Sequence, residues 1–295
     1  MKVCLPCNHR FESKDWRCPR CAHAPATEGG ALLFAPSLCK NNNGFRAEHF
    51  GELAEVEAKH FWFRNRNRLL IWALQAYFPA ARNFLEVGCG TGFVLSGIRK
   101  GSPQLELAGG ELFLEGLEFA RSRLPGVPLY QMDAVHVPFE AEFDVVGAFD
   151  VLEHIEEDEA VLRQLHQALK PGGGLLVTVP QHPALWSEAD VSACHKRRYT
   201  RPDLLRKTEA AGFRTINVTS FMSSLLPFLW ASRRRRSASA SVSRNGEFQI
   251  NKTLNWLLEA FLSFENGFIR LGATFPLGGS LLLVAQKSSG SNALA

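Results

Sequence analysis

Residues Leu85-Glu86-Val87-Gly88-Cys89-Gly90-Thr91-Gly92 constrain this chain more than any other stretch. A short apolar run breaks into glycines at alternate positions, and a helical pattern begins at once. Such a turn folds the backbone back tightly and brings a ligand against main-chain N–H groups at a helix N-terminus. The same rhythm then recurs. Candidate strands at 84–87, 105–109, 129–132, 143–148 and 175–179 are separated by helical patterns at 93–100, 114–124 and 157–169. Strands alternating with helices predict an α/β fold, a parallel sheet with helices on both faces. Hydrophobic residues at 46% and charged residues at 21% can fill such a core and exclude a disordered chain.

Two acidic residues at later strand ends sharpen the reading. Glu111 follows the second candidate strand, about 20 residues beyond the glycine turn, where a carboxylate can accept hydrogen bonds from both hydroxyls of a ribose. Asp133 ends the third strand and can accept from the exocyclic amine of adenine. Each alone is an ordinary acid in a polar loop; the three features in order at consecutive strand ends form a constellation. The glycine spacing differs from the Gly-x-Gly-x-x-Gly fingerprint of dinucleotide-binding dehydrogenases, and no hydride-transfer set follows.

These residues resemble the class I S-adenosylmethionine-dependent methyltransferases. Residues 85–92 match the first motif, Glu111 the ribose-binding acid and Asp133 the adenine-proximal acid. Residues 143–155 (FDVVGAFDVLEHI) match the fourth-strand motif and 169–180 (LKPGGGLLVTVP) the fifth, while 195–213 is similar to the following helix and strand of many small-molecule members. The resemblance implies a Rossmann-like seven-stranded sheet of order 3-2-1-4-5-7-6, with the seventh strand antiparallel, the last two strands falling at 213–220 and 280–286. It also implies an S-adenosyl-L-methionine site built from Glu86, Gly88, Cys89, Gly90, Gly92, Glu111, Leu112, Asp133, Ala134, Phe149 and Asp150.

A sulfonium methyl is already activated, so such a protein has to align the acceptor, exclude water and, for a hydroxyl or ammonium acceptor, remove a proton. His154, just after the fourth strand, and His195 are the candidate bases, because histidine titrates near neutrality. His182 is a further candidate at the substrate edge. Trp62 and Arg66, in a helical pattern spanning 45–78, are candidates for a lid. Each of these also has a bland reading: a packed histidine, a core aromatic, a solvated arginine.

Cys4-x-x-Cys7 and Cys18-x-x-Cys21 form two knuckle-like pairs. Four thiolates at that spacing can surround one tetrahedral, structural Zn2+, so residues 1–25 read as a zinc-ribbon-like segment, similar to known zinc ribbons. Residues 26–44 read as a linker, 45–288 as the methyltransferase domain with an insertion at about 221–276, and 289–295 as a disordered tail. Cysteines clustered for metal fit a reducing compartment; with no apolar leader at the start, the expectation is a cytoplasmic protein. The apolar run at 221–231 is shorter than the about 20 residues of a membrane span. Followed by Arg233, Arg234, Arg235 and Arg236, it predicts a peripheral contact at the inner membrane face through 221–236. The expected acceptor is therefore a small molecule or a lipid- or glycan-linked group. The rivals are a nucleic-acid methyltransferase, favoured by the ribbon and the arginines but lacking an Asn-Pro-Pro-Tyr-type motif, and a catalytically inert cofactor-binding scaffold. The net charge of +4 is small and owes much to the four arginines, so it does not point to nucleic acid.

Overall fold

The computed structural model describes residues 1–38, 49–228, 230 and 250–288. In chain order its strands are β1 (Lys2–Val3), β2 (Arg10–Phe11), β3 (Ala26–Glu28), β4 (Ala31–Leu33), β5 (Asn83–Val87), β6 (Glu106–Glu111), β7 (Leu129–Gln131), β8 (Phe143–Phe149), β9 (Leu169–Pro180), β10 (Phe213–Phe221) and β11 (Ser280–Lys287). The central strands are continuous apolar runs rather than alternating ones; Leu175, Leu176 and Val177 are all fully buried. That is the signature of a sheet covered on both faces. Pairing runs β7-β6-β5-β8-β9-β11-β10, and β11 is antiparallel to both neighbours. This is the order and direction the resemblance implied. Strand order reverses at β5, whose neighbours are β6 and β8, so the binding crevice lies beyond its carboxyl end.

Two strands were not anticipated. The segment at 26–44 does not begin as a linker. Ala26–Glu28 and Ala31–Leu33 form a hairpin, β4 pairs parallel with β7, and the sheet has nine strands rather than seven. Gly29 and Gly30 turn the hairpin with positive φ, the tight-turn conformation that glycine adopts without steric cost. The hairpin covers what would otherwise be an open sheet edge. Residues 39–48 and the tail at 289–295 lie outside the described residues.

Helices α1 (His49–Val56), α2 (Phe61–Tyr77), α3 (Phe93–Gly101), α4 (Leu114–Arg123), α5 (Asp158–Ala168), α6 (Glu188–Ser192), α7 (Arg201–Ala210) and α8 (Lys252–Arg270) complete the described structure. The pattern read as continuous over 45–78 breaks between α1 and α2, because Glu57 turns toward the glycine loop and the His60 side chain caps α2 by accepting from Trp62 N. Two apolar clusters sandwich the sheet. One joins Phe84 and Leu176 to Leu70, Leu95 and Leu117; the other joins Leu85 and Val146 to Leu162, Leu165 and Leu204. Each buried leucine contributes about 1.5–3 kcal/mol. α7 starts where the sequence signals place it: Thr200 accepts from Asp203 N, and Pro202 lies in the first turn.

The N-terminal segment docks on the domain. Trp16 packs edge-on against Phe34 at 4.6 Å and Phe139 at 5.5 Å, and Val3 N donates to Pro138 O. The insertion at about 221–276 is anchored too, since α8 packs along α2. Its arginines at 233–236 lie outside the described residues. Among the described residues no helix is long and apolar enough to cross a membrane.

Candidate active site

The glycine loop hangs from the end of β5. Gly88 N and Cys89 N both donate to Gly110 O on β6. Gly88 has φ +75°, and a Cβ there would meet Val151 at 2.4 Å, so no side chain fits between the loop and the end of β8. Gly92, at φ +73°, is the N-cap of α3, and a Cβ there would meet Ala120 at 2.9 Å. Cys89 is buried under the loop.

Acidic groups stand around this loop. Glu111 ends β6, and its carboxylate accepts from Gly90 N at 2.9 Å, Leu112 N at 2.8 Å and Phe113 N at 3.1 Å. Burial pushes its pKa up, and those three N–H donors oppose the rise. Glu86 is deeper, 2% exposed, with Oε2 lacking a hydrogen-bond partner. Burial lifts its carboxyl well above the usual range, against the pull of the Arg66 charge. A buried carboxyl with one orphaned oxygen, behind a loop of small residues, suits a ligand that carries a cation. Asp133 lies one strand over, with Oδ1 accepting from Val135 N and Oδ2 3.1 Å from His136 Nδ1; Ala134 beside it is buried.

Arg66 joins α2 to the end of β8. It pairs with Asp150 Oδ2 at 3.0 Å, donates to Phe149 O and stacks over Trp62 at 4.9 Å. The lid candidates thus reach the same edge as Asp150. The ring of Phe149 points elsewhere, stacked on Phe84 in the core, so only its main chain faces Arg66.

Beyond β8, the turn at Leu152–His154 meets the segment that follows β9. The rings of His154 and His195 are 4.8 Å apart, edge to face. His195 Nδ1 lies 2.9 Å from Asp190 Oδ1, which also takes Arg198 Nε at 2.7 Å. Asp190 is 1% exposed. A carboxylate there accepts from Nδ1–H and leaves Nε2 as the basic nitrogen. Glu153, His154 and His195 each place one donor atom within 4.8 Å of the others, compact enough for a cation. Burial, with the Asp150 charge adding to it, holds the Glu153 carboxyl well up and so toward its neutral form. His182 stands at φ +63° with its N–H donated to Tyr199 O; burial, and then Arg198, lowers its pKa.

A family profile described as the methyltransferase domain matches residues 54–218, more than half of the chain. The chain belongs to the methyltransferase-domain family. A protein of Mycolicibacterium smegmatis named a probable S-adenosylmethionine-dependent methyltransferase is 27% identical over 158 residues, 52% of this chain and 60% of that protein. An O-methyltransferase of Penicillium expansum is 30% identical over 159 residues, 49% of this chain and 56% of that protein. The chain thus matches little more than half the length of these curated relatives. Among solved structures, a Haemonchus contortus phosphoethanolamine N-methyltransferase in complex with S-adenosyl-L-methionine shares the fold at TM-score 0.55 and 19% identity, covering 88% of this chain and 61% of that one.

Several residues of this methyltransferase domain had not been singled out in the sequence. Glu57 accepts from Thr91 Oγ1 at 2.7 Å and pairs with Arg123 Nη1 at 2.7 Å, clasping the end of α1 to the glycine loop. Phe50 of α1 lies 3.6 Å from the position of a Cβ on Gly90. So α1 packs on the loop, while Trp62 and Arg66 reach the neighbouring end of β8. Asp190 had one sequence signal, the Ser187-x-x-Asp190 capping box realised at α6. Nothing in the sequence announced that it would also hold His195.

At the N-terminus the four cysteines converge. Their sulfurs lie within 4.8 Å of one another, with Cys4–Cys21 at 3.5 Å and Cys7–Cys18 at 3.7 Å. In both knuckles the residue after the second cysteine, Asn8 or Ala22, has positive φ and donates its N–H to the carbonyl of the first cysteine. Two matched turns that aim four sulfurs at one point suit a closed tetrahedral metal site.

Proposed function

We propose that this chain is an S-adenosyl-L-methionine-dependent methyltransferase acting on an oxygen or nitrogen of a small-molecule acceptor. Its four cysteines hold a structural Zn2+. The observation that carries the reading is that the glycine loop, two buried carboxyls and the His154–His195 pair held by Asp190 all follow or stand at the carboxyl ends of β5, β6, β8 and β9.

Glu111 would hold the ribose hydroxyls and Asp133 the adenine edge. Glu86, behind the loop, offers a negative partner to the cofactor's amino-acid portion. When bound, the cofactor supplies an electrophilic sulfonium methyl. The chain's residues then have three tasks. α1 and Arg66 exclude water. His154 and His195 face the acceptor edge. Asp190 keeps His195 in the tautomer that can take the acceptor's proton. With the cofactor bound, His195 Nε2 would take the proton of the acceptor hydroxyl as that oxygen is methylated, and the sulfonium, having given up its methyl, would leave as a neutral thioether.

The O-methyltransferase name of a relative supports a hydroxyl acceptor. A lipid- or glycan-linked acceptor remains compatible with this edge, and a location in the cytoplasm fits the thiolate cluster. The test is turnover. Purified protein incubated with the cofactor and a metabolite extract is expected to release S-adenosylhomocysteine, and His195→Ala to suppress it. Cofactor binding without product in any extract would leave the scaffold reading instead.

A further inference from the structure

Helix α8 is turned inside out. Its polar side chains face the protein: Asn255 accepts from Phe61 N, Glu259 pairs with Arg68 at 2.7 Å, Ser263 donates to Asn65, and Glu265 accepts from Ser223 N and Ser224 N. Leu262 and Ile269 are buried inward, but most of its large apolar side chains point outward. Leu254, Leu257, Phe261, Phe264, Phe268 and Leu271 recur at alternating spacings of three and four residues, and all are exposed. Trp256, 66% exposed, and Phe228, 72% exposed, add further apolar surface. A soluble amphipathic helix orients the other way, and an apolar stripe of this size marks a contact surface.

The described residues leave this face exposed. Residues 231–249 offer only Val242 and Phe248 as large apolar groups, and 289–295 only Leu294. A second copy is a poor match as well. A paired helical seam takes its specificity from charged flanking positions, whereas here these are Leu258, Ala260 and Gly267, with Glu265 turned inward. Charge points to another occupant. Both carboxylates of α8 are engaged on the inner side, while Lys252 and Arg270 are exposed at its two ends. The sequence leading into the helix carries five arginines and one glutamate over 231–249. Aromatic and leucine side chains flanked by cations match an anionic lipid surface.

We propose that the outward face of α8 docks on the anionic surface of a bilayer, laying the helix in the headgroup region. This extends the contact expected from the sequence at 221–236, where Phe228 is exposed while Phe221, Met222 and Leu225 are buried in the core. It does not depend on the identity of the methyl acceptor.

The test uses the zinc-loaded full chain with vesicles of phosphatidylcholine alone or mixed with phosphatidylglycerol. Wild-type protein is expected to sediment with the anionic vesicles, less so at high salt. Phe264→Ala and Trp256→Ala are each expected to weaken that binding about tenfold. Quenching of tryptophan emission by brominated acyl chains is expected to diminish in Trp256→Phe. Both positions face outward, so unchanged thermal unfolding and cofactor binding verify that the variants fold. Failure to bind anionic vesicles would overturn the proposal. So would binding unaffected by both alanine variants, or a wild-type dimer in sedimentation equilibrium that Phe264→Ala converts to monomer, which assigns the face to a second copy.

Discussion

Replacing Glu111 by glutamine tests the cofactor site where its geometry is most explicit. The carboxylate accepts two N–H groups on one oxygen, from Leu112 and Phe113, and one on the other, from Gly90. In Glu111→Gln the amide oxygen can keep the first pair. The amide NH2 then faces Gly90 N–H across 2.9 Å, donor against donor, and can no longer accept from a ribose hydroxyl. Hydrogen bonds to a charged group are worth about 1.5–3 kcal/mol. One such bond lost, with the other reduced to neutral strength, gives about 2–3 kcal/mol, or about 30- to 150-fold in Kd. Stability of the ligand-free protein should change little. The substitution removes a buried carboxyl that burial already disfavours in its charged form, and the clash at Gly90 works in the opposite direction. The assay is calorimetric titration with S-adenosylhomocysteine, alongside thermal unfolding. A Glu111→Gln protein that melts like the wild type and binds within about threefold of its Kd would refute the assignment.

Three further outcomes are expected. Asp190→Asn removes the carboxylate shared by His195 and Arg198, so kcat should fall about 100-fold with KM nearly constant and a displaced pH–rate profile; a change confined to KM would contradict the relay. Cys18→Ser should abolish stoichiometric zinc by elemental analysis and lower the melting temperature, because a segment this short takes most of its folding energy from the metal; unchanged zinc content would rule out the four-thiolate site. Burial raises Glu86 and Glu111 above their unfolded values, so above the ordinary carboxylate range these groups cost the ligand-free fold stability, a cost that grows as pH rises toward their folded values. A cationic ligand restores their ionisation. Binding of the cofactor should therefore release protons and strengthen as pH rises above the ordinary carboxylate range, read from titrations in buffers of different ionisation heat; proton uptake, or no pH dependence, would be inconsistent with this.

Much of the site was legible because its elements are local. The Gly88–Gly92 turn declares itself through residues that only a tight strand-to-helix connection requires, and Glu111 and Asp133 sit at strand ends that periodicity locates. The cysteine pairs were equally plain, since a knuckle is a turn of a few residues. The hairpin at 26–33 was hidden because its strands are short and β3 is wholly exposed; only pairing with β7 makes it part of the sheet. Phe149 shows a different limit. Its motif position puts it at the crevice end of β8, but only the fold shows that its ring stacks on Phe84 in the core.

By itself, the sequence determined the alternation of strands and helices, the glycine turn, the acids at strand ends and the metal-ready N-terminus, because each follows from spacing along a few residues; the order of the strands came only through the family resemblance. Tertiary structure alone decided what crosses the chain. It brought Glu57 onto Thr91 and Arg123, paired His154 with a His195 held by Asp190, and turned the polar side of α8 inward. Apolar periodicity shows that a helix has two faces. Which face is buried is set by the partner it meets, and here the polar partners on α2 claimed the inner side and left the aromatic one outside.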